Sequence, residues 1–256
     1  MKHIAKNNIV AISADYENPN FPATRMLDEH PKRRFVAPDD VFAVEITADI
    51  SGGCSDILLA GTNADSAVVS VVDPNEMSWG DDDTWGDGDI WANTTVSVTG
   101  AIVQNSQSQA MLIELSDTVD VPCVATINLR SFPGSTFYCG IATANIAETY
   151  GGKNPRYGIS NQLVDYSIID ENSNGSRYYK KRDVVRSWNL SALMTRENAL
   201  KLRDNFILYG ELPHGWKLTD GESTDWVAYA RFDGPPTISH DYLTMSTVNF
   251  NLTEVL

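Results

Sequence analysis

The sequence predicts a mainly β protein of two domains, with one helix in the second. Apolar and polar residues alternate in both halves of the chain, which is the pattern of half-buried strands. The length of 256 residues suits two domains, each large enough to bury its own core. The net charge of −15 is concentrated in the first half: residues 1–150 carry 21 acidic and 7 basic side chains (−14), whereas residues 151–256 carry 13 and 12 (−1).

Three segments show the alternation most clearly. In residues 121–130 the odd positions are apolar and most even positions are polar. In residues 183–194 we expect one buried face with Val184, Trp188, Leu190, Ala192 and Met194, and an opposite face with Ser187, Asn189 and Ser191. Near the C-terminus, Val248, Phe250 and Leu252 alternate with Asn249, Asn251 and Thr253.

One helix is predicted over residues 195–209. Thr195 is a suitable N-cap, Glu197 suits the first turn, and Gly210 and Pro213 end the segment. The apolar face is expected to hold Ala199, Leu202, Phe206 and Tyr209.

A stretch rich in Gly, Asn and Pro at residues 150–156 lies where the charge balance changes. We therefore predict a linker at 149–157, between a first domain of residues 1–148 and a second domain of residues 158–256.

The cysteines and the apolar segments exclude several classes of protein. Cys54, Cys123 and Cys139 have no CxxC spacing, so neither a disulfide framework nor a structural zinc site is predicted. No apolar run has the length of a signal peptide's central region or the roughly 18 residues of a membrane span, so we expect neither export nor membrane insertion. The acidic first half repels phosphate backbones, which argues against nucleic-acid recognition.

Catalytic motifs are missing from the sequence. It contains no GxSxG, HExxH, Walker loop or complete dinucleotide fingerprint, so no enzyme and no catalytic residue is predicted. His3, His30, His214 and His240 are scattered and have no Cys or His at metal-ligand spacing. Each histidine is predicted to be a surface or loop residue.

Residues 77–91 combine three tryptophans with five aspartates. The tryptophans, Trp79, Trp85 and Trp91, are six residues apart and share one face if the segment is extended. The aspartates, Asp81, Asp82, Asp83, Asp87 and Asp89, offer the oxygen ligands that Ca²⁺ prefers, although their spacing departs from the EF-hand series. Three interpretations stay open: a solvated acidic loop anchored by tryptophan, a calcium site, and stacking of the indole rings on a sugar. Apart from calcium, no cofactor is predicted.

A basic and aromatic run occupies residues 177–182, Arg-Tyr-Tyr-Lys-Lys-Arg. It is short for a single-stranded nucleic-acid site. We expect a strand with a charged edge, or a patch that forms salt bridges with an acidic neighbouring subunit.

Several short sequence motifs in the first half resemble those of the discoidin-type, galactose-binding-like jelly roll. Residues 12–35 contain Phe-Pro-Ala-Thr followed by Met-Leu-Asp, residues 56–63 read Asp-Ile-Leu-Leu-Ala-Gly-Thr-Asn, and residues 111–117 read Met-Leu-Ile-Glu-Leu-Ser-Asp. The resemblance covers roughly 140 residues and implies a β-sandwich. The flanking cysteine pair of secreted discoidin domains is missing.

The second half resembles the β-strand, helix, β-strand module of the tail-tube and distal-tail proteins of long-tailed bacteriophages, and its last strand is similar to theirs. This resemblance implies a small β-sandwich or barrel with one packed helix, in a ring-forming, typically hexameric subunit of the siphophage tail tip. The implied partners are the tube, tape-measure, hub and receptor-binding proteins, and the implied location is the virion, after assembly in the host cytoplasm.

Two other functions remain open at this point. One is an adhesin that binds a host glycan through Trp79, Trp85 and Trp91. The other is a tail-associated glycan hydrolase, which needs two carboxylates roughly 5–10 Å apart in a cleft.

Overall fold

A computed structural model of the chain describes residues 1–28, 30–77, 93–96, 101–105, 110–150, 159–171, 177–182, 184–219, 226–240 and 243–255. For residues 73–77, 93–96 and 101–105 only the backbone is considered. The protein is mainly β, as predicted, and the strand pairs formed by the described residues are all antiparallel.

The strands of the first half, in chain order, are β1 (Lys2–Ile4), β2 (Ile9–Ala14), β3 (Phe35–Val36), β4 (Ala43–Ile50), β5 (Cys54–Ala60), β6 (Ala64–Met77), β7 (Asn93–Val96), β8 (Ala101–Asn105), β9 (Ala110–Val119), β10 (Cys123–Ser131), β11 (Tyr138–Cys139), β12 (Ile141–Asn145) and β13 (Glu148–Thr149). A 3₁₀ helix spans Ala23–Leu27. The second half contains β14 (Ser160–Asp165), β15 (Ile168–Glu171), β16 (Arg177–Lys180), β17 (Val184–Thr195), helix α1 (Arg196–Tyr209), β18 (His214–Lys217), β19 (Val227–Phe232), β20 (Thr237–Ser239) and β21 (Met245–Glu254).

The first half forms a β-sandwich of two sheets. A five-stranded sheet has the order β2-β4-β10-β6-β7, and a four-stranded sheet has the order β12-β5-β9-β8. Their facing side chains form one large apolar core. The alternation predicted in residues 121–130 is confirmed from Cys123 onward, because the odd positions of β10 are buried. Val121 lies before the strand and is half-buried. Its even positions form part of the outer face of the five-stranded sheet.

The Gly-Thr-Asn motif at 61–63 holds the segment before β12 against the end of β5. The Thr62 hydroxyl donates to the carbonyl of Tyr138 (3.1 Å), and the Asn63 amide both donates to the carbonyl of Thr136 (2.9 Å) and accepts from the Tyr138 N–H (2.9 Å). These bonds dock the segment before β12 onto the end of β5. The Gly-Thr-Asn motif therefore has a structural role in this protein.

The second half forms an eight-stranded sheet that includes strands of the first half. Its order is β13-β1-β18-β19-β21-β17-β14, with β20 also paired to β21. The sequence division assigned residues 2–4 to the first domain and Thr149 to a linker, but both lie in this sheet. Tyr150, also within the predicted linker, is buried in its core.

Helix α1 covers one face of the eight-stranded sheet, and its predicted bounds and caps are confirmed. The Thr195 hydroxyl accepts a hydrogen bond from the N–H of Asn198 (3.3 Å), and Gly210 ends the helix with φ of 63°. Ala199 and Leu202 are buried in the core beneath the helix, with Phe206 partly buried against it.

The two other predicted strand patterns are correct with two exceptions. Ser187, predicted on the face opposite the buried one, is itself buried (5% exposed). The apolar positions of β21 are buried, as are Trp188, Leu190, Ala192 and Met194 of β17. Val184, predicted to be buried, is 42% exposed. It is the first residue of β17 and pairs with Asp165 at the edge of the sheet, beyond the reach of the core.

The four-stranded sheet is a middle layer. One of its faces packs on the five-stranded sheet, and the other contacts the eight-stranded sheet through a second apolar cluster that joins Leu58, Leu112 and Ile141 to Val227 and Tyr229. Burial on both faces explains why residues 56–60 of β5 are buried without interruption.

Candidate functional site

An arm projects from the edge of the eight-stranded sheet. We define the arm as residues 166–171 and 177–182, which contain the β15–β16 hairpin between the paired strands β14 and β17. In the hairpin Ile169 lies opposite Tyr179, and Glu171 lies opposite Arg177 with a side-chain contact of 3.5 Å. The β15–β16 hairpin therefore continues from the paired strands β14 and β17.

Polar side chains fix the base of the arm. The Ser167 N–H donates to the Asp165 carboxylate (2.8 Å). Hydrogen bonding by the Ser167 side chain, together with this N–H bond, lowers the pKa of Asp165. The Ser167 hydroxyl accepts from the N–H of Arg182 (3.0 Å) and from the Tyr179 hydroxyl (3.2 Å). Ser167 therefore links the two strands of the arm at its base.

The arm exposes large apolar and aromatic side chains. Ile169 is 66% exposed, Tyr178 59% and Tyr179 56%, and Leu163 on the edge strand β14 is 71% exposed. Lone exposed apolar residues are common, but several on one hairpin and the adjacent edge strand are typical of a contact surface. An unpaired edge strand also offers free backbone hydrogen-bonding groups to another chain.

The arm is basic, whereas the first half of the chain is acidic. Arg177, Lys180, Lys181 and Arg182 outnumber Asp170 and Glu171, so the arm carries +2. The strand predicted for residues 177–182 is confirmed over 177–180, and all its described side chains are exposed.

Charged side chains join the eight-stranded sheet to the four-stranded sheet. Lys2 of β1 lies 3.0 Å from Asp56 and 2.8 Å from Glu114, and Glu114 also pairs with Lys217 of β18. Burial opposes the charged forms of Lys2 and Glu114, but their mutual hydrogen bonds and ion pairs prevail, so the pKa of Lys2 is raised and that of Glu114 is lowered. The contact between the sheets is thus specified by charge as well as by the apolar cluster.

Two histidines predicted to be surface or loop residues are buried on strands. His3 is fully buried and His214 is 6% exposed. Nε2 of His3 lies 3.1 Å from Nδ1 of His214, and Nδ1 of His3 lies 3.3 Å from the Tyr150 hydroxyl. The ring of His3 also stacks on Trp216 with 4.1 Å between centroids. The sequence prediction is wrong here because residues 211 positions apart are brought together by the pairing of β1 with β18.

The neighbouring hydrogen-bond donors and acceptors determine which ring nitrogens of His3 and His214 carry protons. The Tyr150 hydroxyl donates to Glu148 and accepts from Asn205, so its oxygen faces His3 as an acceptor. His3 then carries its proton on Nδ1, and its Nε2 accepts from Nδ1–H of His214. Burial, reinforced at His3 by the second histidine, holds the pKa of His3 well below its usual range, and burial lowers the pKa of His214 to about 4.

The structure does not test the other predicted site residues. Trp79, Trp85 and Trp91, with Asp81, Asp83, Asp87 and Asp89, lie outside the described residues. Among the residues that are described, no cluster of three or more His, Cys, Asp or Glu side chains could hold a metal ion. Within the same part of the chain, no helix is long and apolar enough to cross a membrane.

The three cysteines are free and buried. Burial raises the pKa of both the Cys54 and Cys139 thiols to about 12. These two thiols therefore remain protonated at neutral pH, and protonated thiols are poor nucleophiles.

Comparisons with known proteins leave the family open. No protein-family model matches the chain, and no curated protein matches it. Two solved structures of chitosan-binding module 1 from a chitosanase/glucanase of Paenibacillus sp. IK-5 show weak similarity. One is 16% identical, with a TM-score of 0.37, and the other, a selenomethionine-labelled point mutant of the module, is 14% identical, with a TM-score of 0.35. Each match covers 56% of this chain and 98% of the module.

Proposed function

We propose that the protein is a structural component of a bacteriophage tail tip, which forms or decorates a ring at the distal end of the tail tube. The observation that carries this proposal is the exposed arm, a basic hairpin with uncovered aromatic side chains on a chain whose first half is strongly acidic. The resemblance of the second half to tail-tube and distal-tail modules supplies the biological setting and the expectation of six subunits.

Ring formation has a simple structural requirement. Each subunit needs two unlike surfaces that fit each other, so that each copy contacts the next head to tail. The arm and the edge strand β14 provide one such surface. Covering Ile169, Tyr178 and Tyr179 would remove apolar area from water, which contributes about 25 cal/mol for each Å² buried.

The proposal is tested with the purified chain by light scattering after size-exclusion chromatography, in parallel with negative-stain imaging. We expect a closed oligomer for the wild type and loss of the oligomer in the double variant Tyr178→Ser/Tyr179→Ser. The matched control is Phe21→Ser, which removes an exposed aromatic side chain (39%) from the first half.

A second pair of variants separates charge from apolar contact. Lys180→Glu/Lys181→Glu reverses two charges on the arm and should weaken the oligomer, more so at low salt because exposed charges are screened as salt rises. Lys6→Glu/Lys32→Glu makes the same change in charge on the first half and should leave assembly intact. A wild-type chain that stays monomeric alone and with tail-tube protein would contradict the proposal.

A further inference from the structure

A groove crosses the outer face of the five-stranded sheet. It has a volume of about 720 Å³, and the side chains important here are Asp15, Tyr16, Glu45, Val68, Asn128 and Arg130. Glu45 of β4, Asn128 of β10 and Val68 of β6 are register partners, so they form a row across three neighbouring strands. The groove lies on the sheet farthest from the one that carries the arm.

Hydrogen bonds hold the rim of the groove in place. One carboxylate oxygen of Asp15 accepts from the N–H groups of Tyr16 and Glu45, both at 2.9 Å, and the Asp15 N–H donates to the carbonyl of Glu45 (3.0 Å). This arrangement ties the end of β2 to β4 and keeps Tyr16 at the rim. Tyr16 is 52% exposed and Val68 is 60% exposed, so both can contact another molecule.

We propose that the groove receives the arm of a second copy of this chain. This inference rests on the proposed function and names the surface that the arm contacts. Asp15 and Glu45 line the groove, and Glu17 and Asp65 are exposed next to lining residues. Among the described lining residues, Arg130 is the one cation. The arm has the complementary pattern of four cations and two anions, and both surfaces carry exposed tyrosine.

The dimensions of the two surfaces agree. The strands of a hairpin lie roughly 4.8 Å apart, and the floor of the groove spans three strands, about 10 Å from the first to the last. A two-stranded arm can therefore lie across β4, β10 and β6 with side chains reaching both rims. Because the arm and the groove are on different layers of the molecule, their contact is head to tail and can close a ring.

Engineered cysteines test the contact directly, because Cys54, Cys123 and Cys139 are all buried. We expect the double variant Val68→Cys/Tyr179→Cys to form a ladder of covalent oligomers under mild oxidation. In the matched control, Val68→Cys/Leu243→Cys, the second cysteine replaces a residue that is 94% exposed and outside the arm. That control should give no ladder.

A charge exchange provides the second part of the experiment. Glu45→Lys and Lys180→Glu should each raise the concentration needed for half-assembly severalfold, and the combined variant should restore assembly toward the wild-type value. Asp117→Lys, an exposed charge reversal at a distance from the groove, is the control. Rings that form normally in Glu45→Lys, without a ladder from the cysteine pair, would overturn the groove assignment and leave the proposed function standing. A wild-type chain that forms no oligomer would overturn both.

Discussion

Acidification should destabilise this protein through the buried histidine pair. In the unfolded chain each histidine takes up a proton near pH 6.5. In the folded protein burial lowers the pKa of His214 to about 4, and the pKa of His3 is shifted in the same direction. Between these two pKa values the unfolded state binds more protons than the folded state, so the stability falls as the pH falls.

The magnitude follows from the shift. Between pH 7.5 and 5.5, His214 alone should remove about 1.4 kcal/mol from the free energy of unfolding, since a full proton difference is worth about 1.36 kcal/mol per pH unit. His3 adds a loss of the same sign. Protonating both rings would place two N–H donors against each other across the 3.1 Å contact, which the network cannot accommodate.

The assay is urea denaturation of wild type and His214→Gln at pH 7.5 and 5.5. The variant should be less stable than wild type at pH 7.5 but should lose less stability on acidification. Titrating groups outside the histidine pair, including Glu254, whose pKa burial raises, contribute equally to both proteins and cancel in the comparison. Loss of His214 also relieves part of the shift at His3, which changes the comparison in the same direction. His30→Gln, which removes an exposed histidine, is the control. Equal pH dependence in wild type and His214→Gln would refute the reasoning.

Three further predictions concern stability. Thr195→Ala removes the hydroxyl that caps α1 and should cost about 1 kcal/mol by urea denaturation, whereas Thr195→Ser should restore most of it. Gly140→Ala should lower the melting temperature by several degrees, because an added Cβ would lie 2.4 Å from the backbone oxygen of Pro31; a variant that melts with wild type would contradict that geometry. Glu114→Gln leaves Lys217 without a charged acceptor and should cost about 1–3 kcal/mol, and a neutral outcome would show that the ion pairs between the sheets add little.

Local sequence patterns predicted local structure well. Helix α1 is recognisable because Thr195 and Gly210 act on residues close to them in the chain. The strands β10 and β21 are recognisable because each has one buried face, so that apolar residues recur at every second position. Residues 56–60 are buried continuously and do not alternate, because both faces of β5 are covered.

Long-range pairing could not be read from the same patterns. His3 and His214 become partners only because β1 leaves the first half of the chain and pairs with β18. Lys2 and Lys217 come to share Glu114 for the same reason. Val184 is exposed because it is the first residue of β17 and pairs with the edge strand β14, a position that alternation alone does not reveal. The basic run at 177–182 was recognisable as a strand, but not as part of a projecting hairpin.

The mass of the wild-type particle in solution tests the central claim most directly. Light scattering on the purified chain at moderate salt should give a closed oligomer, which for six copies of the 28.2 kDa chain is about 169 kDa, with ring-shaped particles in negative stain. A single species of 28.2 kDa that persists at high protein concentration and in the presence of tail-tube protein would contradict the account.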